Sequence, residues 1–439
     1  LMEALGQTFD HSVCGYHLLQ PLGCSVPRLV HDENITGRKS MNILMEYLQA
    51  NHITVADDMM AMELILQNGN VRGAVAMHIH QQEPPLCIEA DAVVLACGGS
   101  HLMQNSTYPL SLTADGFAMA YRAGATLLDL EFVQHEPCRC IWPKPLGIST
   151  TLLAKGGILT NHTGQRFILN HYASEGAVPK DILARLIAIE IAQGRGTEHA
   201  GVWLDLTGLP EAEIKENHKL YYDRFMNMGI DLTKQCVEVA PAAHSMMGGI
   251  RIDGNAFTGV KGLYAAGEVT GGLHGANRLG GNAGSETYVF GRRAGQSAAK
   301  YRPSEKLEQR SIEAALHCCE SVSDNVQTDY NGIKAEIRTT LSEAVGPIRD
   351  AQTLMKAISK LNSIAAQLQK PCETKGIISV QEARNMTLTG RLVCMAALER
   401  KESRGVHFRS DFPQMDDGLQ RHITWKKGRG ADDYSYFRG

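Results

Sequence analysis

The sequence predicts an α/β protein of more than one domain, and three observations carry that prediction. Residues 262–301, GLYAAGEVTGGLHGANRLGGNAGSETYVFGRRAGQSAAKY, open as a short apolar strand at 263–266. They cross a loop holding Gly267, Gly271, Gly272, Gly275, Gly280, Gly281 and Gly284, and end in a helix beginning near 283–285. Residues 91–97, DAVVLAC, read as a buried strand running into Gly98-Gly99. Residues 304–439 read as mostly helical and contain no glycine-rich loop.

The totals set limits on function. A chain of 439 residues has room for about two to four domains. Apolar residues make up 44% and charged residues 21%, the proportions of an ordinary globular enzyme. Lys plus Arg is 43 against 47 for Asp plus Glu, so the balance of −4 gives no electrostatic case for nucleic acid or an anionic membrane. No apolar run reaches the length of a membrane span, and no signal peptide is visible. The 11 cysteines are scattered, which points to a reducing compartment. Cys138-Arg139-Cys140 and Cys318-Cys319 have neither zinc nor iron–sulfur spacing, so no metal site is expected.

Taken in order, residues 1–31 read as irregular. Residues 37–50 read as a helix, with Met41, Leu44, Met45 and Leu48 at helical spacing. A strand follows at 53–55, then a hairpin, 60–67 and 71–78, turning at Asn68-Gly69. Residues 113–125 form a helix in which Asp115 is either a cap or a cofactor contact. From about 142 to 234 the texture changes. GGILTNHTGQRF reads as a hairpin, 179–193 as a helix with Pro179 in its first turn, 202–206 as a strand and 211–228 as a helix. Four helices are expected beyond: 304–322, 333–344, 350–368 and 380–400. The stretch from Ser410 reads as charged and irregular.

The glycine loop is where chemistry is expected. Glycines let backbone approach a ring system, and a helix start offers unpaired N–H groups that stabilise negative charge. A flavin gains such charge at its pyrimidine edge on reduction. GLYAAGEV, HGANRLGGN and VFGRRAG, with APAAHSMMGGI upstream and ALERKESRGVHFRSDFP downstream, resemble the flavoprotein subunits of succinate dehydrogenases and fumarate reductases, a family that includes L-aspartate oxidase. The resemblance covers essentially the whole chain. It implies an FAD-binding Rossmann-like domain, an inserted α+β capping domain and a C-terminal helical domain. The corresponding segments are 1–141 and 236–302 for the FAD-binding domain, 142–235 for the cap, and 303–439 for the helical domain. The G-x-G-x-x-G that opens such a fold is absent, so the first segment is expected to lack the N-terminal βαβ.

The resemblance also implies roles. Gly98, Gly99, Asp115, Ser245, Glu268, Gly280, Gly281, Asn282, Ala283, Gly284 and Ser285 would contact FAD. Arg278 would grip a substrate carboxylate, or serve a phosphate or ion pair. His244 would donate to the substrate or the flavin edge, or be a core histidine. Other positions depart from the family. In Phe132-Val133-Gln134-His135-Glu136-Pro137, Glu136 stands where the family has a substrate-binding histidine. In residues 149–157, STTLLAKGG, Leu153 replaces a relay arginine and Lys155 a glutamate. In Pro179-Lys180-Asp181, Lys180 replaces the catalytic arginine, either as a proton donor of lowered pKa or as a solvated lysine.

The expected activity is an FAD-dependent oxidoreduction of a C–C bond in a small carboxylic acid. The alternative is a non-catalytic or electron-transferring flavoprotein. The partners expected are that acid and an iron–sulfur or other redox subunit. The expected location is the cytoplasm, with attachment to the membrane's inner face through a partner left open.

Overall fold

The computed structural model describes all residues except 14, 21–23, 33–34, 81–82, 320–327, 370–375, 429–433 and 438–439. The chain folds into two compact units. One comprises residues 1–57, 137–241 and 279–284; the other comprises 58–136, 242–278 and 285–439.

The larger unit begins with an antiparallel sheet of Met59–Gln67, Asn70–His78 and Leu86–Glu89. Its hairpin turns where expected. Asn68 and Gly69 both take left-handed φ, 51° and 75°, as the tight turn requires. The strand Val93–Leu95 pairs in parallel with Leu263–Ala265, and both run toward glycines, Gly98 and Gly267. A five-stranded sheet runs in the order Thr270–Gly271, Gly249–Arg251, Leu127–Leu128, His422–Trp425, Tyr434–Phe437. Three long helices, Tyr330–Ala344, Ala351–Gln367 and Ile377–Glu399, complete it. Asp329 and Asp350 cap the first two, accepting from the N–H of Gly332 and Thr353. The last helix buries residues around its whole circumference, so it lies in the core of this unit.

The smaller unit holds most of a five-stranded sheet in the order Leu146–Gly147, Val133–Trp142, Val237–Met246, Val202–Asp205, Ile158–Thr160. Its separate core packs Cys138, Leu159, Leu183, Ile187, Val202, Phe225 and Val239. The chain passes between the units within Val133–Trp142 and again within Val237–Met246.

Several local expectations are corrected. Residues 53–55 form no strand, and Ile53 and Val55 are exposed. Ile158–Thr160 pairs with Val202–Asp205, not with residues after Thr163. The helix expected over 211–228 is two helices, Glu211–Lys215 and Lys219–Met226. The helix expected over 304–322 is Gln309–Leu316 followed by a 3₁₀ turn at His317–Cys319, and residues 320–322 lie outside the described residues. The stretch after Ser410 is not wholly irregular. His422–Trp425 joins the sheet beside Leu127–Leu128, burying Ile423 and Trp425. Among the described residues, no helix is long and apolar enough to cross a membrane.

Candidate active site

In the larger unit the strand ending at Met246 and the loop ending at Arg278 bring several expected residues together. The Arg278 guanidinium donates from Nε to Ser245 Oγ at 3.2 Å and from Nη2 to Gln134 Oε1 at 3.2 Å. Gln134 in turn donates from Nε2 to Asn277 Oδ1 and to the Arg278 carbonyl, both at 2.9 Å. The fork of the arginine is therefore fixed from two sides, and its backbone from a third. Below it, Val406 N–H donates to the Ala276 carbonyl at 3.0 Å, and Phe132, Met247 and Val406 pack with Ala276.

His244 follows Ala243, whose backbone is stitched to residues 105–107. Ala243 N–H donates to Asn105 O at 3.0 Å and Thr107 N–H to Ala243 O at 2.9 Å. Thr107 Oγ1 lies 2.9 Å from His244 Nδ1. The next residue, Tyr108, donates to Glu268 Oε1, which also accepts from Met246 N–H at 2.9 Å. Burial first, then the Glu268 charge, pushes the Tyr108 hydroxyl well above its ordinary pKa. The hydroxyl end of Tyr108 lies against Gly99, where a Cβ would sit 2.7 Å from its Cε1 and Oη. Glycine at 99 is thus required by protein packing alone.

Gly98 takes a left-handed φ of 71°. Asp115 opens the helix Asp115–Arg122, and its carboxylate accepts from Asn385 Nδ2 at 2.6 Å and Thr113 Oγ1 at 2.8 Å. Burial raises its pKa against the pull of those two bonds.

Gly280, Gly281, Asn282, Ala283 and Gly284 belong to the smaller unit, where Gly281 has φ 84° and a Cβ at that position would collide with Leu29 Cδ1. Asn282 starts the helix Asn282–Ala298, whose first turn carries no acidic residue. Ser285 continues that helix in the larger unit. Further along, Glu286 accepts from His274 Nε2 at 2.8 Å and Thr270 Oγ1 at 3.2 Å, tying the helix to the glycine loop. A helix start without acid, with open space at the Gly284 Cβ position, fits an electron-rich ring edge.

Lys180 is the first residue of the helix Lys180–Glu190 in the smaller unit. Leu153 is buried in that unit's core, and Lys155 lies 3.7 Å from Glu213. Glu136 shares a strand face with Gln134 and is half-buried; His135 points the other way and is buried. Burial, and then the Arg349 charge, drives the His135 pKa down to about 3, so it is neutral and no acid at pH 7.

Thr107, Tyr108, Gln134 and His274 were not singled out from the sequence. Gln134 lay inside a quoted motif, yet nothing local marks it as the clamp of an arginine 144 residues away. Tyr108 and Glu268 are 160 residues apart and share no pattern.

Residues 6–283 match the FAD binding domain model, and residues 334–436 match the fumarate reductase flavoprotein C-terminal model. The chain is 36% identical over 438 residues to a fumarate reductase (CoM/CoB) subunit of Methanothermobacter marburgensis, covering 96% of this chain and 79% of that one. It is 30% identical to L-aspartate oxidase of Acinetobacter baylyi, covering 93% of this chain and 76% of that one. Among solved structures, a quinol–fumarate reductase with menaquinol molecules superposes with a TM-score of 0.90 at 26% identity, covering 100% of this chain and 82% of that one. Sdh1 of Mycobacterium smegmatis in complex with UQ1 gives 0.84 at 32% identity, covering 96% and 76%.

Proposed function

As the chain belongs to the FAD-dependent flavoprotein family of succinate dehydrogenase, fumarate reductase and L-aspartate oxidase, we propose that it adds hydrogen across, or removes it from, a carbon–carbon bond of a small carboxylic acid. The observation that carries this reading is the Arg278 guanidinium, held by Ser245 and Gln134 in the same unit as His244. A planar fork already oriented binds a carboxylate at low entropic cost. Arg278 grips the acid and His244 donates to it. FAD, when bound, supplies or takes the hydride at one carbon, and the neighbouring carbon exchanges a proton. Lys180 is the proposed donor of that proton.

Gly98, Gly99, Ser245, Glu268 and residues 280–285 are the proposed FAD contacts. For Asp115 the reading is narrower, because each of its oxygens already accepts a bond from the protein. Residues 142–235 are proposed to act as a cap that excludes water. Among the described residues no cluster of His, Cys, Asp and Glu could hold a metal ion. An iron–sulfur subunit is the proposed electron partner.

One observation favours a second reading, an electron-transferring flavoprotein without its own substrate. Glu136, half-buried, shares the strand face of Gln134, so a carboxylate of the protein itself stands two residues from the one that clamps Arg278. Steady-state assays of the FAD-loaded protein on a panel of unsaturated mono- and dicarboxylic acids, with a reduced viologen as donor, decide between them. Turnover on at least one acid is expected. A protein that exchanges electrons with the viologen and reduces no acid overturns the first reading.

A further inference from the structure

We propose that Thr107 is a positioning residue that sets the tautomer of His244. The inference deepens the reading above and rests on its assignment of His244 to the substrate.

Thr107 is fixed by backbone before its side chain acts. Residues 106 and 243 form a parallel bridge, with Ala243 N–H on Asn105 O at 3.0 Å and Thr107 N–H on Ala243 O at 2.9 Å. This pins Thr107 beside the residue that precedes His244 and leaves its hydroxyl 2.9 Å from Nδ1 and 3.4 Å from Ala243 O. A threonine hydroxyl has one proton and can also accept. Pointed along the shorter contact, that proton occupies the Nδ1 lone pair. A neutral ring must then carry its own proton on Nε2, where it is a donor. When the ring is protonated, Nδ1–H donates to Oγ1 and the hydroxyl proton turns to Ala243 O. One rotor therefore supports both the neutral and the protonated ring.

Besides His244 Nδ1, the described partner of the hydroxyl is Ala243 O at 3.4 Å, which the Thr107 backbone N–H already bonds. Thr107 is exposed, and its backbone bonds hold the segment without Oγ1. Valine keeps the shape and loses both hydrogen bonds; serine keeps them.

The test uses FAD-loaded protein labelled with ¹⁵N-histidine and long-range proton–nitrogen spectra, with His244→Gln assigning the ring. The wild-type neutral ring is expected to carry its proton on Nε2. Thr107→Val is expected to give a mixture of tautomers, and Thr107→Ser to restore the wild-type pattern. On any acid the enzyme reduces, Thr107→Val should lower kcat by roughly 3- to 10-fold, the loss of one hydrogen bond, with Thr107→Ser close to wild type. A wild-type neutral ring protonated on Nδ1, or identical signals in wild type and Thr107→Val, overturns the proposal. Should Thr107→Val not hold FAD, the wild-type spectrum alone decides. A tautomer that responds while turnover does not leaves Thr107 as the positioning residue and removes His244 from the reaction.

Discussion

Arg278 and Lys180 are both cations placed by a recognisable motif, and the structure treats them differently. Arg278 is clamped through its guanidinium by Ser245 and Gln134, and Gln134 is itself held by Asn277. The frame and the side chains agree there. Lys180 starts a helix behind Pro179, in a unit where Leu153 has become core and Lys155 is drawn to Glu213. There Leu153 packs into the core at the position where the resemblance would set a relay arginine. A motif whose residues brace one another resists substitution, because each change leaves a buried partner unsatisfied.

The largest expected effect tests the glycine loop that follows Arg278 in the chain. Gly281→Val would be ambiguous, since its Cβ meets Leu29 and its φ is left-handed, so loss of flavin could follow from misfolding alone. Gly284 is the cleaner position, because a Cβ there meets no atom within 4 Å beyond its own stretch of helix. Gly284→Val is expected to abolish flavin retention and leave the thermal midpoint of the flavin-free protein unchanged or slightly raised. A full flavin absorption spectrum in Gly284→Val would remove this loop from the cofactor site.

Next comes Lys180. If it delivers the proton, Lys180→Ala should slow turnover by roughly 10²–10⁴-fold while viologen still reduces the flavin at the wild-type rate. Lys180→Arg should not create efficient fumarate reduction, because Leu153 remains buried apolar packing and a glutamate still stands at 136, on the strand face of Gln134. Wild-type turnover in Lys180→Ala would mark Lys180 as a solvated lysine. His135 could not stand in for it at neutral pH, since it is held neutral.

A smaller effect is expected at Arg278→Lys. The charge survives but the fork does not, and Ser245 and Gln134 lose their donors. Apparent affinity for the acid should fall roughly 10- to 100-fold, with flavin content unchanged. Equal KM values for Arg278→Lys and wild type would show that the clamp orients nothing the substrate uses.

Much of the fold was legible because local signals and tertiary structure agreed. Asn68-Gly69 needs left-handed φ and has it; Asp350 caps the helix that follows it; the strand 91–97 runs into its glycines. What was not legible depends on partners far along the chain. The strand His422–Trp425 is too short for its alternation to register, and it exists because Leu127–Leu128 lies alongside. Conversely, 53–55 has β-branched residues without a strand neighbour among the described residues, and propensity alone makes no sheet. The site divides in the same way. His244, Ser245, Glu268 and Arg278 sit in motifs that point to their roles, whereas Thr107, Tyr108 and Gln134, the last inside a motif that gives it no role, matter only through what folding brings to them.

The smallest expected effect asks whether the sheet in the Arg278 unit leans on charge as well as on packing. His422 Nδ1 lies 2.5 Å from Asp129 Oδ2, and Asp129 is buried with a left-handed φ of 57° beside the Leu127–Leu128 strand. The hydrogen bond that His422 donates to Asp129, more than the Asp129 charge, raises the His422 pKa against the pull of burial, while Arg400 opposes and Glu131 assists. A histidine whose folded pKa is raised contributes stability that is full below its unfolded value of about 6.5 and is lost as pH climbs through the folded value. The imidazole is partly exposed, so solvent screening keeps the contribution below about 1 kcal/mol. The thermal midpoint should therefore decline slightly more between pH 6 and 9 in wild type than in His422→Gln, with flavin content the same in both. Parallel pH profiles for the two proteins would mean that Ile423 and Trp425 hold the strand by burial alone. That strand would then be held as Leu153 is, by apolar packing.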